Sequence, residues 1–285
     1  MAQQWNFRQE LVFCFGYHLA ENPTQYMLEK AFRHHGMNWR YVNFELGNER
    51  LADAVRAVRV LGFRGGNCTM PCKVSVIPYL DRLGQSASLM EAVNCVVVDG
   101  EELVGENTDG KGFLKSLREV TDPIGKRVTI LGAGGASRAI AVEIALAGAS
   151  RITIVNRQAQ RGRLLVELLQ TRTAVEANFL PWEGDHLVAE GTEILINATS
   201  IGMHPNGGAR VPLQTETLTP GMVVADVIAN PPQTRLLREA VARGCTVLDG
   251  LGMLVNQGVI SFRLWAGKDP NSSVMRGALQ SVFAG

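Results

Sequence analysis

The sequence predicts an α/β protein in which an N-terminal α/β region is followed by a doubly wound parallel sheet. Strand-like and helix-like segments alternate through the second half of the chain, as they do in right-handed βαβ units. The buried run 128–131 leads into a glycine-rich turn and then a helical segment. A chain of 285 residues, 46% of them hydrophobic, is long enough for two domains with separate cores.

The composition narrows the class of protein. The formal charge of +1 gives no general attraction to nucleic acid or to an anionic membrane, so neither is an expected partner. No segment approaches the roughly 20 apolar residues that span a bilayer, and the N-terminus lacks the pattern of a signal peptide. The five cysteines are irregularly spaced, which predicts neither a disulfide framework nor a metal site. We therefore expect a cytoplasmic protein.

The first elements of the chain are a short buried strand over residues 11–16 and a helix that begins near Asn22 and Thr24. Both side chains occupy positions typical of helix caps. Turns between strands and helices also carry ligand contacts in open α/β sheets, so a substrate-binding role stays open. A second strand over 39–44 and an apolar helical stripe over 51–61 follow.

The segment Thr69-x-Pro71-x-Lys73 places a lysine just after a stiff turn. Proline fixes its own φ angle and restricts the residue before it, so this backbone has few conformations. A lysine held in this way can be directed at a substrate. The alternative is a surface loop whose lysine only ends a strand.

A β-hairpin follows, with a strand over 92–98, a turn at Asp99-Gly100 and a return strand over 103–106. The return strand leads to Asp109, which precedes a helical stretch. The local sequence supports an N-capping role for this carboxylate as well as a functional one.

The turn after strand 128–131 has the features of a dinucleotide-binding loop. Gly132 permits a tight turn, and Gly134 lets the backbone approach a pyrophosphate at the N-terminus of a helix. The third small residue of the motif is Ser137 instead of glycine. A second strand over 151–155 completes the βαβ frame that the motif requires.

The end of that second strand indicates which nucleotide is bound. An NAD site uses a carboxylate there for the ribose diol, whereas this chain has Asn156 and Arg157, with Arg161 close behind. Guanidinium groups suit a 2′-phosphate, so the pattern favours NADP, with NAD possible. The alternative is two ordinary surface arginines at the start of a helix.

Further strands are predicted over 193–198, 223–228 and 245–249, and a helix over 234–243. A C-terminal helix then runs from about Leu251 to Trp265. Gln257 lies on its apolar face, where a buried amide requires hydrogen-bond partners. A ligand contact is one way to provide them.

Taken in order, these motifs resemble the shikimate/quinate dehydrogenase family across nearly the whole chain. The matching segments are Asn67-x-Thr69-x-Pro71-x-Lys73, Ala92-Val93-Asn94, Asn107-Thr108-Asp109-Gly110, Gly132-Ala133-Gly134-Gly135-Ala136, Asn156-Arg157, Asn197-Ala198-Thr199-Ser200-Ile201-Gly202-Met203 and Gly250-Leu251-Gly252-Met253-Leu254-Val255-x-Gln257.

The resemblance implies a substrate-binding catalytic domain over residues 1–111 and an NAD(P)-binding Rossmann domain over 112–250. It also implies a C-terminal helical segment, 251–285, that packs back on the first domain. The implied activity is reversible, NADP-dependent oxidation of shikimate to 3-dehydroshikimate, or of a close analogue. The implied partner is a small-molecule substrate, and both a monomer and a homodimer fit the sequence.

The resemblance also implies roles for individual residues. Lys73 and Asp109 would form the catalytic pair that handles the proton of the reacting hydroxyl. The substrate-binding residues would be Asn22, Thr24, Thr69, Asn94 and Gln257. The cofactor-binding residues would be Gly132, Ala133, Gly134, Gly135, Ala136, Asn156, Arg157, Arg161, Thr199, Met203, Val227, Gly250 and Met253.

The chain departs from the pattern of the family at several positions. Asn22-Pro23-Thr24 stands where the family has the Ser-x-Ser that holds the substrate carboxylate, and Ala229 stands in place of a tyrosine. Gln158 replaces a threonine beside the predicted 2′-phosphate site. A divergent subgroup is therefore expected. The alternatives are an NAD-dependent enzyme for quinate or another analogue, and a nucleotide-binding sensor without turnover.

Overall fold

The computed structural model describes residues 7–283, which form twelve strands and ten α-helices. The strands are β1 (Glu10–Gly16), β2 (Trp39–Glu45), β3 (Gly65–Cys68), β4 (Arg82–Leu83), β5 (Cys95–Asp99), β6 (Glu102–Glu106), β7 (Arg127–Leu131), β8 (Arg151–Asn156), β9 (Glu176–Pro181), β10 (Ile194–Asn197), β11 (Val223–Asp226) and β12 (Thr246–Leu248). The helices are α1 (Thr24–His34), α2 (Leu51–Leu61), α3 (Cys72–Ser75), α4 (Gln85–Met90), α5 (Asp109–Leu117), α6 (Gly135–Leu146), α7 (Ala159–Arg172), α8 (Arg235–Ala242), α9 (Gly250–Ala266) and α10 (Ser272–Phe283).

The chain forms two compact units. One contains the chain up to Thr108 together with the chain from Gly258 onward, and the other contains Asp109–Gln257. The chain therefore passes between the units twice, the second time within α9. The predicted domain limits at residues 111 and 250 stay predictions.

The first unit has a mixed six-stranded sheet in the order β2-β1-β3-β5-β6-β4. Strands β1, β2 and β3 are parallel, whereas β5 pairs antiparallel with both β3 and β6. The predicted hairpin is present, because Asp99 pairs with Glu102 around Gly100, whose φ is +63°. Apolar side chains of β1, α2 and the β3–α3 turn form one core of this unit.

The second unit is the predicted doubly wound sheet. All of its strand pairs are parallel, in the order β12-β11-β10-β7-β8-β9. The chain moves from β7 outward to β8 and β9 and then returns to the other side of β7 with β10. The carboxyl ends of β7 and β10 therefore flank the point where the strand order reverses, which is the usual ligand crevice of such sheets.

Candidate active site

The lysine turn at the end of β3 is fixed by backbone hydrogen bonds. The Thr69 amide donates to the Phe15 carbonyl at 2.9 Å, and the Cys72 amide donates to the Thr69 carbonyl at 2.7 Å. Lys73 lies in the short helix α3, and its carbonyl accepts the Val93 amide at 2.8 Å. The turn is thus anchored to β1 on one side and to the segment before β5 on the other, and Lys73 is half-buried.

Gly16, at the end of β1, lets the lysine turn pack closely. Its φ is +147°, and a Cβ atom there would lie 2.5 Å from Thr69 Cγ2 and 2.8 Å from the Met70 carbonyl oxygen. Any other residue would push the turn away, so this glycine is required for the position of Thr69.

Buried side-chain hydrogen bonds connect β3, the strand that precedes the lysine turn, with neighbouring segments of the first unit. Tyr41 donates its hydroxyl to Asn67 Oδ1 at 2.8 Å, and Asn67 Nδ2 donates to the Asn94 carbonyl at 2.9 Å. Asn94 Nδ2 donates to Thr108 Oγ1 at 3.0 Å, and Asn94 Oδ1 accepts the Thr108 amide at 2.7 Å. Thr108 precedes Asp109 in the chain. The contributions of Tyr41 and Thr108 could not be predicted from the sequence, because both depend on partners remote in the chain.

The thiols around this turn are protonated side chains of the core. All five cysteines are free and buried. Burial raises the pKa of Cys14 to about 11 and raises the pKa of Cys68 far above its ordinary value, because a thiolate is poorly solvated there. No group of three metal-ligating side chains occurs within residues 7–283.

The start of α1 carries the predicted substrate clamp. Asn22 Oδ1 accepts the Thr24 backbone amide at 3.0 Å in a local turn just before α1. This bond leaves the Nδ2 group as the donor that Asn22 can offer to a ligand. The residue that precedes α1 is Pro23 and the helix has no side-chain cap, so the predicted capping roles of Asn22 and Thr24 are not found. Thr24 is buried, at 6% exposure.

The glycine turn of the second unit has the shape that a pyrophosphate needs. Gly132 has a φ of +108°, and a Cβ atom there would lie 2.9 Å from the Ala198 carbonyl oxygen. Gly134 and Gly135 are exposed, and a Cβ atom at either would meet only open space. The N-terminus of α6 has no side-chain cap, so its amides and its positive end are available to an anion.

Ser137 explains why the glycine motif tolerates a departure at its third position. Its buried hydroxyl donates to the Gly132 carbonyl at 2.7 Å and so closes the turn onto the first residues of α6. The imperfect motif is therefore a complete loop. A dinucleotide fits it through the exposed backbone of Gly134 and Gly135.

The end of β8 carries the predicted 2′-phosphate residues. Asn156 Nδ2 donates to the Gln158 carbonyl at 2.9 Å. Arg157 and Arg161 are exposed, and neither forms an ion pair with a carboxylate in the described part of the chain. Both guanidinium groups are therefore available to an anionic ligand.

The remaining predicted cofactor residues follow the carboxyl ends of β10, β11 and β12 in the chain. Thr199 Cγ2 lies 3.1 Å from the Cβ position of Gly132. The Val227 amide donates to the Asn197 carbonyl at 3.1 Å, and a Cβ atom on Gly250 would lie 2.4 Å from the Val227 carbonyl carbon. Met203 is 49% exposed, and Met253 is half-buried.

Gln257 lies in α9 and is the last residue of the second unit. It is 7% exposed, and its Nε2 donates to the Leu254 carbonyl at 3.0 Å. The Gln257 backbone packs on α5, because a Cβ atom on Gly112 would lie 2.6 Å from its amide nitrogen. The buried amide predicted at this position thus has one partner within its own helix.

Family models match most of the chain. The shikimate dehydrogenase substrate binding domain matches residues 14–96, the shikimate/quinate 5-dehydrogenase model matches 116–231, and the shikimate 5′-dehydrogenase C-terminal domain matches 250–280. A shikimate dehydrogenase (NADP+) of Methanothermobacter thermautotrophicus is 41% identical over 94% of this chain and 95% of its own length. The chain belongs to the shikimate/quinate dehydrogenase family.

Two solved structures are similar to nearly the whole chain. A shikimate 5-dehydrogenase from Listeria monocytogenes, solved in complex with shikimate and NAD, is 33% identical with a TM-score of 0.91, over 98% of this chain and 99% of that chain. The ligand-free 5-ketofructose reductase of Gluconobacter sp. strain CHM43 is 50% identical with a TM-score of 0.94, over 98% and 100%. The predicted family and fold class are therefore confirmed.

Proposed function

We propose that the chain is an NADP-dependent oxidoreductase that reversibly oxidises shikimate to 3-dehydroshikimate, or a CH–OH group of a close analogue. The observation that carries the proposal is the 41% identity to an NADP-dependent shikimate dehydrogenase over 94% of the chain. The exposed glycine turn and the retained Lys73 and Asp109 support it.

Lys73 and Asp109 are the proposed catalytic pair. Alcohol oxidation needs a group that takes the hydroxyl proton as hydride leaves, and the reverse reaction needs the same proton returned. The nicotinamide supplies the hydride chemistry when it is bound. Lys73, anchored through its backbone, holds or accepts the proton at Nζ. Asp109 is the proposed second member of the pair and supplies a carboxylate for proton transfer.

The proposed substrate contacts are Thr69, Asn94, Gln257, Asn22 and Thr24. Thr69 lies on the same fixed turn as Lys73, and the Cys68 amide donates to the Asn94 carbonyl at 2.9 Å. These contacts keep Thr69, Lys73 and Asn94 close together, which suits the binding of one small polyhydroxylated ring.

The proposed cofactor contacts run along the carboxyl edge of the parallel sheet. Gly132, Ala133, Gly134, Gly135 and Ala136 would hold the pyrophosphate. Asn156, Arg157 and Arg161 would hold the adenosine ribose and its 2′-phosphate. Thr199, Met203, Val227, Gly250 and Met253 would flank the nicotinamide half.

Removing the Arg157 guanidinium tests the cofactor assignment. Arg157→Ala should weaken NADP+ binding by roughly 10- to 100-fold and leave NAD+ binding nearly unchanged, because only NADP+ carries the 2′-phosphate. Equilibrium binding of both nucleotides measures the difference. Arg172→Ala changes an exposed arginine at the far end of α7, the helix that follows Arg157, and is the matched control. An equal effect on both nucleotides would contradict the 2′-phosphate assignment.

A second candidate function is reduction of a neutral polyhydroxylated ketone such as 5-ketofructose. It is favoured by the 50% identity to the reductase of Gluconobacter sp. strain CHM43. The clamp supports it too, because Asn22 Oδ1 already accepts the Thr24 backbone amide and Thr24 is buried. One amide donor in place of two serine hydroxyls suits a neutral hydroxyl group better than a carboxylate.

One absorbance experiment separates these candidates. The purified protein is mixed with shikimate or quinate and each oxidised cofactor, or with 3-dehydroshikimate or 5-ketofructose and each reduced cofactor. The rate of each reaction is measured from the change in absorbance at the NAD(P)H band. A kcat/KM that is higher for shikimate and 3-dehydroshikimate than for 5-ketofructose supports the first candidate. A kcat/KM that is higher for 5-ketofructose with NADPH supports the second. Cofactor binding without turnover of any substrate would indicate a sensor.

The location and assembly of the protein complete the proposal. No helix within residues 7–283 is long and apolar enough to cross a membrane. The free, buried cysteines fit the reducing cytoplasm, which we propose as its location. A monomer and a homodimer are both compatible with the proposed activity.

A further inference from the structure

Asp226, the last residue of β11, is a buried carboxylate that forms no ion pair within the described residues. It is 1% exposed, and both of its oxygens accept Asn197 Nδ2 at 3.1 Å. Its Oδ1 also accepts the Ile228 amide at 3.1 Å, and its Oδ2 accepts Thr234 Oγ1 at 2.8 Å. Burying a carboxylate is costly unless donors surround it, and here three residues supply them.

The carboxylate fixes the orientation of the Asn197 side chain. An ionised carboxylate only accepts hydrogen bonds, so it must face the NH2 group of Asn197. The opposite end, Asn197 Oδ1, accepts the Thr199 backbone amide at 3.2 Å, and a backbone amide only donates. Both ends therefore require the same orientation, and a flipped amide would leave donors facing donors.

This orientation determines what the Thr199 hydroxyl can offer to a ligand. Thr199 Oγ1 donates its proton to Asn197 Oδ1 at 2.7 Å and accepts the Ile201 amide at 3.1 Å. A hydroxyl has one proton and two lone pairs, so one lone pair remains. Thr199 can only accept a hydrogen bond from anything placed beside it.

The position of Thr199 indicates which part of the cofactor lies nearby. Thr199 adjoins Gly132 at the point where the strand order reverses. The proposed 2′-phosphate residues lie on the β8 side of that point, and the pyrophosphate loop lies at β7. The other half of an extended dinucleotide, which contains the nicotinamide, therefore extends over β10.

We propose that Asp226 is a positioning residue for the cofactor. It sets the direction of the hydrogen-bond chain from Asp226 through Asn197 to Thr199, so that Thr199 presents an acceptor to a hydroxyl or carboxamide donor of the nicotinamide half. The inference rests on the proposed function, because it requires a nicotinamide cofactor.

Exchanging the side chains of Asp226 and Asn197 tests the direction of the hydrogen bonds that lead to Thr199. Asp226→Asn replaces one of the two oxygens that accept Asn197 Nδ2 with an NH2 group that faces donors, and Asn197→Asp brings two carboxylates together. Each change should weaken equilibrium NADP+ binding by roughly 3- to 10-fold, measured by calorimetry without substrate. In the double variant, residue 226 carries the amide and residue 197 carries the carboxylate. Thr199 Oγ1 can still donate its proton to the side chain at position 197, so the NADP+ affinity should return to within about twofold of wild type.

A cycle with Thr199→Val separates positioning from simple stabilisation. If Asp226 acts through Thr199, then adding Asp226→Asn to Thr199→Val should weaken NADP+ binding no further, although it still changes thermal stability. Asp185→Asn, the same change at an exposed carboxylate paired with Arg210, should leave binding unchanged. The 3-acetylpyridine analogue of NADP+ lacks the carboxamide NH2: a Thr199→Val effect that persists with it assigns the donor to a hydroxyl, and an effect that vanishes assigns it to the carboxamide.

Three results would overturn the proposal: a folded Asp226→Asn variant with wild-type NADP+ affinity, a double variant that regains none, or full additivity with Thr199→Val. If Asp226→Asn does not fold, the double variant decides, since it keeps the charge and the hydrogen-bond pattern. If the wild-type protein turns over substrate and the Asp226→Asn variant binds NADP+ with wild-type affinity, this inference is refuted and the proposed function is not. A wild-type protein that binds neither NADP+ nor NAD+ refutes the proposed function with it.

Discussion

At the scale of the residue, Lys73 is placed by backbone bonds that a change of its side chain leaves intact. The Thr69, Cys72 and Val93 amides all take part in holding the turn. Removing the ammonium group should therefore remove the proton-handling function without moving the turn that carries Thr69.

We expect Lys73→Ala and Asp109→Ala each to lower kcat by roughly 10²- to 10⁴-fold, the range of general acid–base catalysis. NADP+ affinity should stay close to wild type, because neither residue belongs to the nucleotide half of the proposed site. Steady-state kinetics and nucleotide titration measure the two effects. Lys115→Ala, at an exposed lysine of α5, is the control. A variant of Lys73 or Asp109 with near-normal kcat would disprove its assigned role.

The stability of the protein should depend on pH through the buried carboxylate of Asp226. Burial raises its pKa from 3.8 to about 6, opposed by the hydrogen bonds from Asn197, Ile228 and Thr234. The folded state therefore holds this proton more tightly than the unfolded state does. Its contribution to stability is fully present below about pH 4 and is lost as the pH rises through about 6.

Comparison with Asp226→Asn isolates this contribution, because asparagine does not titrate. Between about pH 3 and pH 7, the free energy of unfolding of the wild type should fall by about 3 kcal/mol relative to the variant. Urea unfolding followed by circular dichroism at several pH values measures the difference. A difference that stays constant across this range would mean that the carboxylate is ionised with an ordinary pKa.

At the scale of the element, the ends of the strands decide where the site residues lie. The sequence predicted β1, β2, the hairpin and the βαβ frame because each has a periodic apolar pattern and a clear turn. It did not predict β9. Helix α6 begins directly at the exposed glycines, where the backbone rather than a capping side chain defines the start.

Two glycine-to-alanine changes should have opposite effects on stability. Gly16→Ala places a Cβ atom 2.5 Å from Thr69 Cγ2 at a φ of +147°, so it should destabilise the protein by about 1–3 kcal/mol and reduce turnover. Gly277→Ala lies in α10 with open space around its Cβ position, so it should stabilise by about 0.5–1 kcal/mol and leave turnover unchanged. Chemical denaturation and initial rates test both. Equal effects of the two changes would show that the Gly16 contact is not tight.

At the scale of the whole molecule, all five thiols are removed from solvent. Burial raises the pKa of Cys14, Cys68, Cys72 and Cys245, so few thiolates are present near neutral pH. The reactivity of these groups therefore reports on the integrity of the fold and not on a redox site.

We expect the native protein to react slowly with a thiol reagent such as Ellman's reagent at pH 8, and the protein in guanidinium chloride to release five equivalents. The release of chromophore against time measures both. Rapid reaction of two or more thiols in the native state would mean that part of the chain opens readily.

The sequence by itself determined the family, the parallel sheet and the pattern of glycines and polar residues at the strand ends. These depend on local periodicity and on motifs of a few consecutive residues, which the chain order preserves. Only the tertiary structure decided that Ser137 closes the glycine turn, that Asn94 is tied to Thr108, and that Asp226 orients Asn197 and Thr199. The Asn94–Thr108 and Asp226–Asn197 bonds join residues 14 and 29 positions apart in the chain, and the Ser137 bond requires the turn that folding forms. The direction of each bond depends on partners that only folding brings together.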